Sequence, residues 1–288
     1  MDSAALLSEL QAGVVSAARD ELLPRFAHVE RHRKRDGSVL TEADTVMQTR
    51  MADYLRGLSP DTVFLGEEMD AEEQAALLAS DKPVWCLDPL DGTGNFACGI
   101  PYYCVSLALL QSGRVELGLV YDPVRDECFS AQYGGGAWLD GKPLRVVESG
   151  LTLKQATALV DFKRLEPALA TRLVTDIPYA SQRSFGSVAL DWCWLAAGRC
   201  HLYLHGRSNI WDYAAGSLIF SEAGGHSVSL DGHPVFTHAL VPRSAVAAVD
   251  QGLFEAWSRW LGIDLQSSTQ ATVLQYLGLW SDRPAGPA

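Results

Sequence analysis

Positive charge is scarce in this chain of 288 residues: 23 lysines and arginines stand against 35 aspartates and glutamates, a formal net charge of −12. A nucleic-acid backbone wants a basic face, so nucleic acid is not an expected partner, and an acidic protein that handles an anionic substrate needs a cation between the two. Long apolar runs are also missing. None approaches the roughly 20 residues of a membrane-spanning helix, and the opening MDSAALLSELQAG has neither the basic flank nor the cleavage pattern of a secretory signal. No membrane partner is expected, and a cytoplasmic location is. The six cysteines, Cys86, Cys98, Cys104, Cys128, Cys193 and Cys200, form no CxxC pair and no repeated spacing, which argues against a zinc ribbon or a disulfide framework. Walker, GxSxG and HExxH patterns are absent, as are internal repeats and low-complexity tracts. What remains is an ordinary globular composition, 48% apolar, enough to bury one large core or two closely packed halves.

Periodicity supplies a coarse layout. Leu6, Leu7, Leu10, Val14, Val15 and Ala18 recur at helical spacing and predict a first helix within residues 3–27 that stops near Pro24. After the basic, turn-bearing RHRKRDGSVL, the TEAD segment opens a second helix that ends around RGLSP. VSLALLQSGRVELGLVYDPVRDECF reads as three strands broken at Ser112-Gly113 and Asp122-Pro123, and YGGGAWLDGKPL as a hairpin turning at Asp140-Gly141. From about Leu151, strand-like pieces (ATALV, CHLYL, HSVSL, AVAAV) alternate with helical ones (SVALDWCWLAAG, DYAAGSLIFSEAG, LFEAWSRWLG), which predicts sheet-and-helix layers. The closing SDRPAGPA reads as a frayed tail.

Several phosphate-handling patterns fail. Cys193 to Arg199 has the Cys-x5-Arg spacing of a cysteine phosphatase, but its interior is an apolar helical face. Asp88 and Asp91 are three apart, which fits neither an Asp-x-Asp nucleophile pair nor a calcium loop. The seven histidines lack ligand spacing. An acidic set survives: Glu67 and Glu68 in FLGEEMD, Asp88 and Asp91 in WCLDPLDGT, and Asp212 in NIWDYAAG. Each follows an apolar stretch and is therefore planted at the end of an element. Two like charges 4 Å apart repel by about 4 kcal/mol at an effective dielectric of about 20. Such a set calls for cations, and all-oxygen donors select hard ones such as Mg2+ or Mn2+. Asp44 in TEAD reads equally well as a capping-box carboxylate.

DPLDGTGNF, with GEE upstream and WDYAAG downstream, resembles the lithium-sensitive, metal-dependent phosphomonoesterases that include inositol monophosphatase. DGSVLTEAD, GIPYYCVSLAL and EAGG fall where that family has comparable segments, and the likeness spans roughly residues 5 to 262. The resemblance implies an alternating layered αβαβα fold of mixed α/β character. Its halves would be residues 1–146, with most metal ligands, and 147–265, with Asp212 and the substrate pocket, followed by a tail at 266–288. It also implies a homodimer.

By the same resemblance, Glu67, Asp88 and the carbonyl of Leu90 would hold a first magnesium ion. Asp88, Asp91 and Asp212 would hold a second, and Glu67 would order a third through water. Asp44 and Thr93 match the pair that orients the attacking water, and Glu68 supports the site. The N–H groups of Gly92 and Thr93 would grip phosphate at a helical turn. Direct hydrolysis of a small phosphorylated polyol or sugar follows, without a covalent enzyme intermediate.

Substrate contacts are expected from Gly186, Ser187 and Val188. Inositol-specific relatives place a glutamate seven residues before the aspartate of the WD motif; here that position is His205. Lys163 and Arg164 lie near a position where relatives that take bisphosphates have basic residues; with Arg207, they read equally well as surface charges or as contacts for a second anionic group on the substrate. Adenosine 3',5'-bisphosphate, a sugar bisphosphate or histidinol phosphate are thus alternatives to inositol 1-phosphate. A regulatory protein that keeps the fold without turnover is the alternative of another class.

Overall fold

The computed structural model describes residues 3–30, 32–33 and 39–265. Helices α1 (Ser3–Glu21) and α2 (Glu42–Leu58) flank a two-stranded antiparallel ribbon, β1 (His32–Arg33) with β2 (Val39–Leu40). A seven-stranded sheet follows in chain order: β3 (Val63–Gly66), β4 (Val84–Asp91), β5 (Cys104–Gln111), β6 (Arg114–Asp122), β7 (Glu127–Gln132), β8 (Gly136–Leu139) and β9 (Lys142–Leu144). β3 and β4 are parallel and joined through α3 (Ala71–Leu78), whereas the strands from β4 onward form an antiparallel meander. The short α4 (Thr93–Cys98) sits in the β4–β5 connection.

The second sheet has the order β11-β10-β12-β14-β13. Its strands are β10 (Thr157–Asp161), β11 (Ser181–Arg183), β12 (Leu202–Ser208), β13 (His226–Val228) and β14 (Arg243–Ala248), connected by α5 (Pro167–Thr175), α6 (Val188–Ala196) and α7 (Ile210–Glu222), with α8 (Gln251–Leu261) last. β10 is parallel to both β11 and β12, and β14 is antiparallel to β12 and β13.

Period-2 alternation sorts the large sheet into two faces. Trp85 and Leu87 of β4, with Val105, Leu107, Leu117, Leu119 and Tyr121, pack on Leu10, Val14, Met47 and Met51 of α1 and α2. Val84, Cys86, Ala108 and Val120 point the other way, into a core shared with Trp192 of α6, Phe220 of α7 and Trp257 of α8. α7 lies across β4 to β8 and beside α6, α6 also touches β12, and α8 covers β12, β13 and β14. The layers therefore run helix, sheet, helix, sheet, helix, and one apolar core cluster draws residues from both sides of position 146. A close approach makes this stacking tight: a Cβ on Gly118 would sit 2.8 Å from the carbonyl oxygen of Ala215 in α7.

The predicted helices and meander strands are present, with corrected ends. α1 stops at Glu21, and Leu23–Arg25 tightens into a 3-10 turn around Pro24. α3, α5 and β11, all short, carry too little periodicity to be anticipated. The 266–288 tail and most of the RHRKRDGSVL segment lie outside the described residues. Among the described residues, no helix is long and apolar enough to cross a membrane.

Candidate active site

A cleft of about 570 Å³ opens where β4, α4, β10, the start of α6, β12 and the first turn of α7 meet. Its lining brings together Glu67, Asp88, Leu90, Asp91, Gly92, Thr93, Gly186, Ser187, Val188, His205 and Asp212, with Lys163, Arg164 and Arg207 on the same walls.

Each carboxylate has its own mount. Glu67 leaves the end of β3; its N–H donates to the carbonyl of Leu87 (3.1 Å), while Gln74 Nε2 donates to the carbonyls of Gly66 (2.8 Å) and Glu67 (3.2 Å). Glu68 is anchored through its N–H, which donates to Gln48 Oε1 at 2.9 Å. Asp88 shares the face of Val84 and Cys86, so strand parity alone aims it at the helices of the central layer. The Leu90 N–H donates to its Oδ1 (3.0 Å). Ladder pairing breaks between Asp88 and Asp91 at Pro89, which has no N–H to give, and the irregularity turns Asp91 into the same cleft. Asp91 Oδ2 accepts from Ser187 Oγ (2.7 Å) and from the N–H of Ala189 (2.6 Å). Asp212 sits in the first turn of α7, where its Oδ2 accepts from the Asn209 N–H at 2.7 Å.

Gly92 makes the corner that ends β4. Its φ of 96° is left-handed, and a Cβ there would stand 3.0 Å from the Tyr102 carbonyl, so any other residue would be strained. The corner delivers Thr93, whose Oγ1 lies 2.9 Å from Asp44 Oδ1 and 3.0 Å from the carbonyl of Leu90. Asp44 Oδ2 accepts both the Thr41 N–H and the Thr41 hydroxyl, each at 2.7 Å. Asp44 is therefore at once the capping carboxylate of α2 and the partner of Thr93.

Burial pushes Asp88 and Asp212 well above the usual carboxylate range, and neighbouring carboxylates, Glu67 among them, add to it. Burial likewise lifts Asp91 to about 6, against the opposing hydrogen bonds from Ser187 and α6. Asp44 is also raised by burial, with its threonine donors resisting. Among the described residues, no lysine or arginine forms an ion pair with Asp88, Asp91 or Asp212. A crowded, all-oxygen set that resists ionisation fits a hard dication, which would relieve the repulsion. The side chains do not yet close on one point: among the described residues, no three of Asp, Glu, His or Cys already stand as an ion's ligands.

Two expected substrate contacts are differently employed. Ser187 is fully buried and its hydroxyl is spent on Asp91. His205 is 3% exposed, with Nε2 lying 3.3 Å from Asp161 Oδ2. Gly186 faces Asn95, whose Nδ2 donates to the carbonyls of Phe185 (2.6 Å) and Tyr102 (2.8 Å) and so ties α4 to the loop before α6. Lys163, Arg164 and Arg207 are exposed on the rim. Asn95 and Asp161 were not singled out in the sequence. Asn95 lay inside the most informative motif, and Asp161 was masked by a segment that reads as surface charge.

Stacked αβαβα layers with a carboxylate-lined cleft at the ends of β4 and α7 define a class of phosphatases. The chain belongs to the inositol monophosphatase family, whose sequence pattern matches residues 3–260. It is 36% identical over 261 residues to inositol monophosphatase 1 of Solanum lycopersicum, covering 87% of this chain and 94% of that protein. It is 38% identical over 225 residues to Nus factor SuhB of Pasteurella multocida, covering 73% and 80% respectively. Among solved structures, the Thermotoga maritima IMPase superposes with a TM-score of 0.75 at 26% identity, over 92% of this chain and 98% of that one.

Proposed function

We propose that the protein hydrolyses the phosphate monoester of a small polyol or sugar, inositol 1-phosphate foremost, with two to three Mg2+ ions or Mn2+ in their place. The observation that carries this reading is the convergence of Glu67, Asp88, Asp91 and Asp212 on one cleft beside the Gly92–Thr93 corner. Glu67, Asp88 and the Leu90 carbonyl would hold one ion, and Asp88, Asp91 and Asp212 another. When bound, such ions supply Lewis-acid activation of water and neutralise the leaving alkoxide.

The chain's own groups handle the proton and the phosphate. Thr93 has one hydroxyl proton, and donating it to Asp44 Oδ1 leaves the lone pairs of Oγ1 free to accept from a water molecule. As that water attacks phosphorus, its proton passes to Thr93 Oγ1 while the threonine proton moves to Asp44 Oδ1. Burial has already made Asp44 a stronger base than a free aspartate, and Thr41 holds its other oxygen still. The N–H groups of Gly92 and Thr93 would cradle the phosphate oxygens.

The exposed cations Lys163, Arg164 and Arg207 favour, as a second reading, a substrate with another anionic group, such as adenosine 3',5'-bisphosphate or fructose 1,6-bisphosphate. The likeness to a Nus factor brings in a regulatory role as well. Phosphate release from inositol 1-phosphate, both bisphosphates and histidinol phosphate, with and without Mg2+ and with added lithium, separates these readings. Release from inositol 1-phosphate that needs Mg2+ and falls with lithium is expected. Release that persists in excess EDTA overturns the metal reading, and none from any ester overturns the hydrolase reading.

A further inference from the structure

Asp161 is the last residue of β10 and stands directly opposite His205 on the parallel neighbour β12, so the two side chains share one face of the sheet. Their exposures differ. The carboxylate is 28% open and lines the cleft, whereas the imidazole behind it is 4% open, with Nε2 at 3.3 Å from Asp161 Oδ2. The other oxygen, Oδ1, accepts the Lys163 N–H at 3.0 Å. The turn that carries this N–H is pressed against β12, since a Cβ on Gly206 would fall 1.8 Å from the Arg164 carbonyl oxygen. Strand register, imidazole, backbone donor and glycine contact together fix the direction of one carboxylate.

That carboxylate is an ionised acceptor. Burial works against its charge, but the imidazole of His205, the Lys163 N–H and the nearby Arg164 together hold its pKa below the ordinary aspartate range. Among the described residues, no lysine or arginine is ion-paired with it. A fixed acceptor in a cleft wants donors, and the donors of a polyol phosphate are its ring hydroxyls.

We propose that Asp161 is the specificity-determining residue of the cleft, accepting hydrogen bonds from hydroxyls on the alcohol part of the substrate, and that His205 is a positioning residue acting through it. The inference rests on the hydrolase reading above and deepens it. A site built to hydrogen-bond a hydroxyl discriminates against an ester without one, because its own polar group is then left unpaired.

The test compares inositol 1-phosphate with phenyl phosphate, whose alcohol part bears no further hydroxyl, in Mg2+. The proteins are the wild type, Asp161→Asn, His205→Gln and the double variant, each with its melting temperature. Asp161→Asn is expected to lower kcat/KM for inositol 1-phosphate by about ten- to a hundredfold, mainly through KM, and to leave phenyl phosphate within about twofold. His205→Gln shifts the ratio the same way by less, and the double variant is no worse than Asp161→Asn. The His205→Gln ratio keeps the test decisive if Asp161→Asn melts early. Equal losses on both esters, or an unchanged ratio, overturn the inference while leaving the hydrolase reading in place. Additive losses in the double variant overturn the positioning role of His205. A wild-type protein that releases phosphate from neither ester removes the polyol-monophosphate reading, and this inference with it.

Discussion

Asp44 closes the N-terminus of α2 with one oxygen and receives the Thr93 hydroxyl with the other. Because Thr41 supplies two of its donors, Thr41→Ala should cost about 1 kcal/mol of stability, as lost caps do. It should also lower turnover, while Thr41→Ser restores both; melting temperature and kcat on the same preparations decide. The carboxylates proposed to hold metal give a sharper expectation. Asp91→Asn or Asp212→Asn should cut turnover by at least about a hundredfold, a loss of a few kcal/mol of transition-state stabilisation. The metal-free fold should melt no lower, because one charge leaves a repulsive set. Near wild-type turnover at saturating Mg2+ would sink the assignment. These residues were legible because each carboxylate ends an apolar stretch, where charge has no structural excuse. Asp161 was not, because VDFKRL looks like a solvated turn and its opposition to His205 is a matter of strand register, which the sequence does not display.

At the scale of elements, the strong periodicities were readable and the short pieces were not. α3 is eight residues long and held by a cap, with Asp70 accepting the Glu72 N–H at 2.8 Å; only that aspartate advertised it. β11 has three residues and exists because β10 is there to pair with it. α7 offers the informative test. A methyl at Gly118 would meet backbone of α7 at 2.8 Å, and backbone cannot rotate away. Gly118→Ala should therefore cost about 1–3 kcal/mol by overpacking. It should also weaken activity by displacing Asp212, although position 118 is far from the cleft in sequence. A variant that melts low yet keeps full kcat at low temperature would show that α7 moves without carrying its carboxylate.

For the whole molecule, titration and the proposed metal binding are one equilibrium. Asp91 titrates at about 6 in the folded protein, Asp88 and Asp212 higher than usual, against about 3.9 in an unfolded chain. Between these values the metal-free folded state holds more protons than the unfolded state, so its stability falls as pH rises. The contribution is complete below about pH 4 and is lost as pH climbs through the folded values. Asp126 and Asp250 are shifted down and act in the opposite sense, losing their contribution only as pH falls below the ordinary range. Calorimetry in EDTA should thus show the melting temperature declining from about pH 5 to 7. Mg2+ should raise it more at pH 7 than at pH 5, since a ligand of the native state stabilises by mass action and must displace fewer protons at the higher pH. An equal Mg2+ shift at both values would argue against carboxylates as the ligands.

The burial of α7 carries a consequence for assembly. Nine of its thirteen residues are buried, including the run Tyr213 to Phe220. Such a helix has no face to offer water and so has no stable place in a half-built molecule. Asp212 can meet Asp88 and Asp91 only after both sheets have closed over it. On the proposed reading, the ion position that needs Asp212 is then an attribute of the finished particle alone, whereas the donors proposed for the other, Glu67, Asp88 and the Leu90 carbonyl, all come from the first sheet.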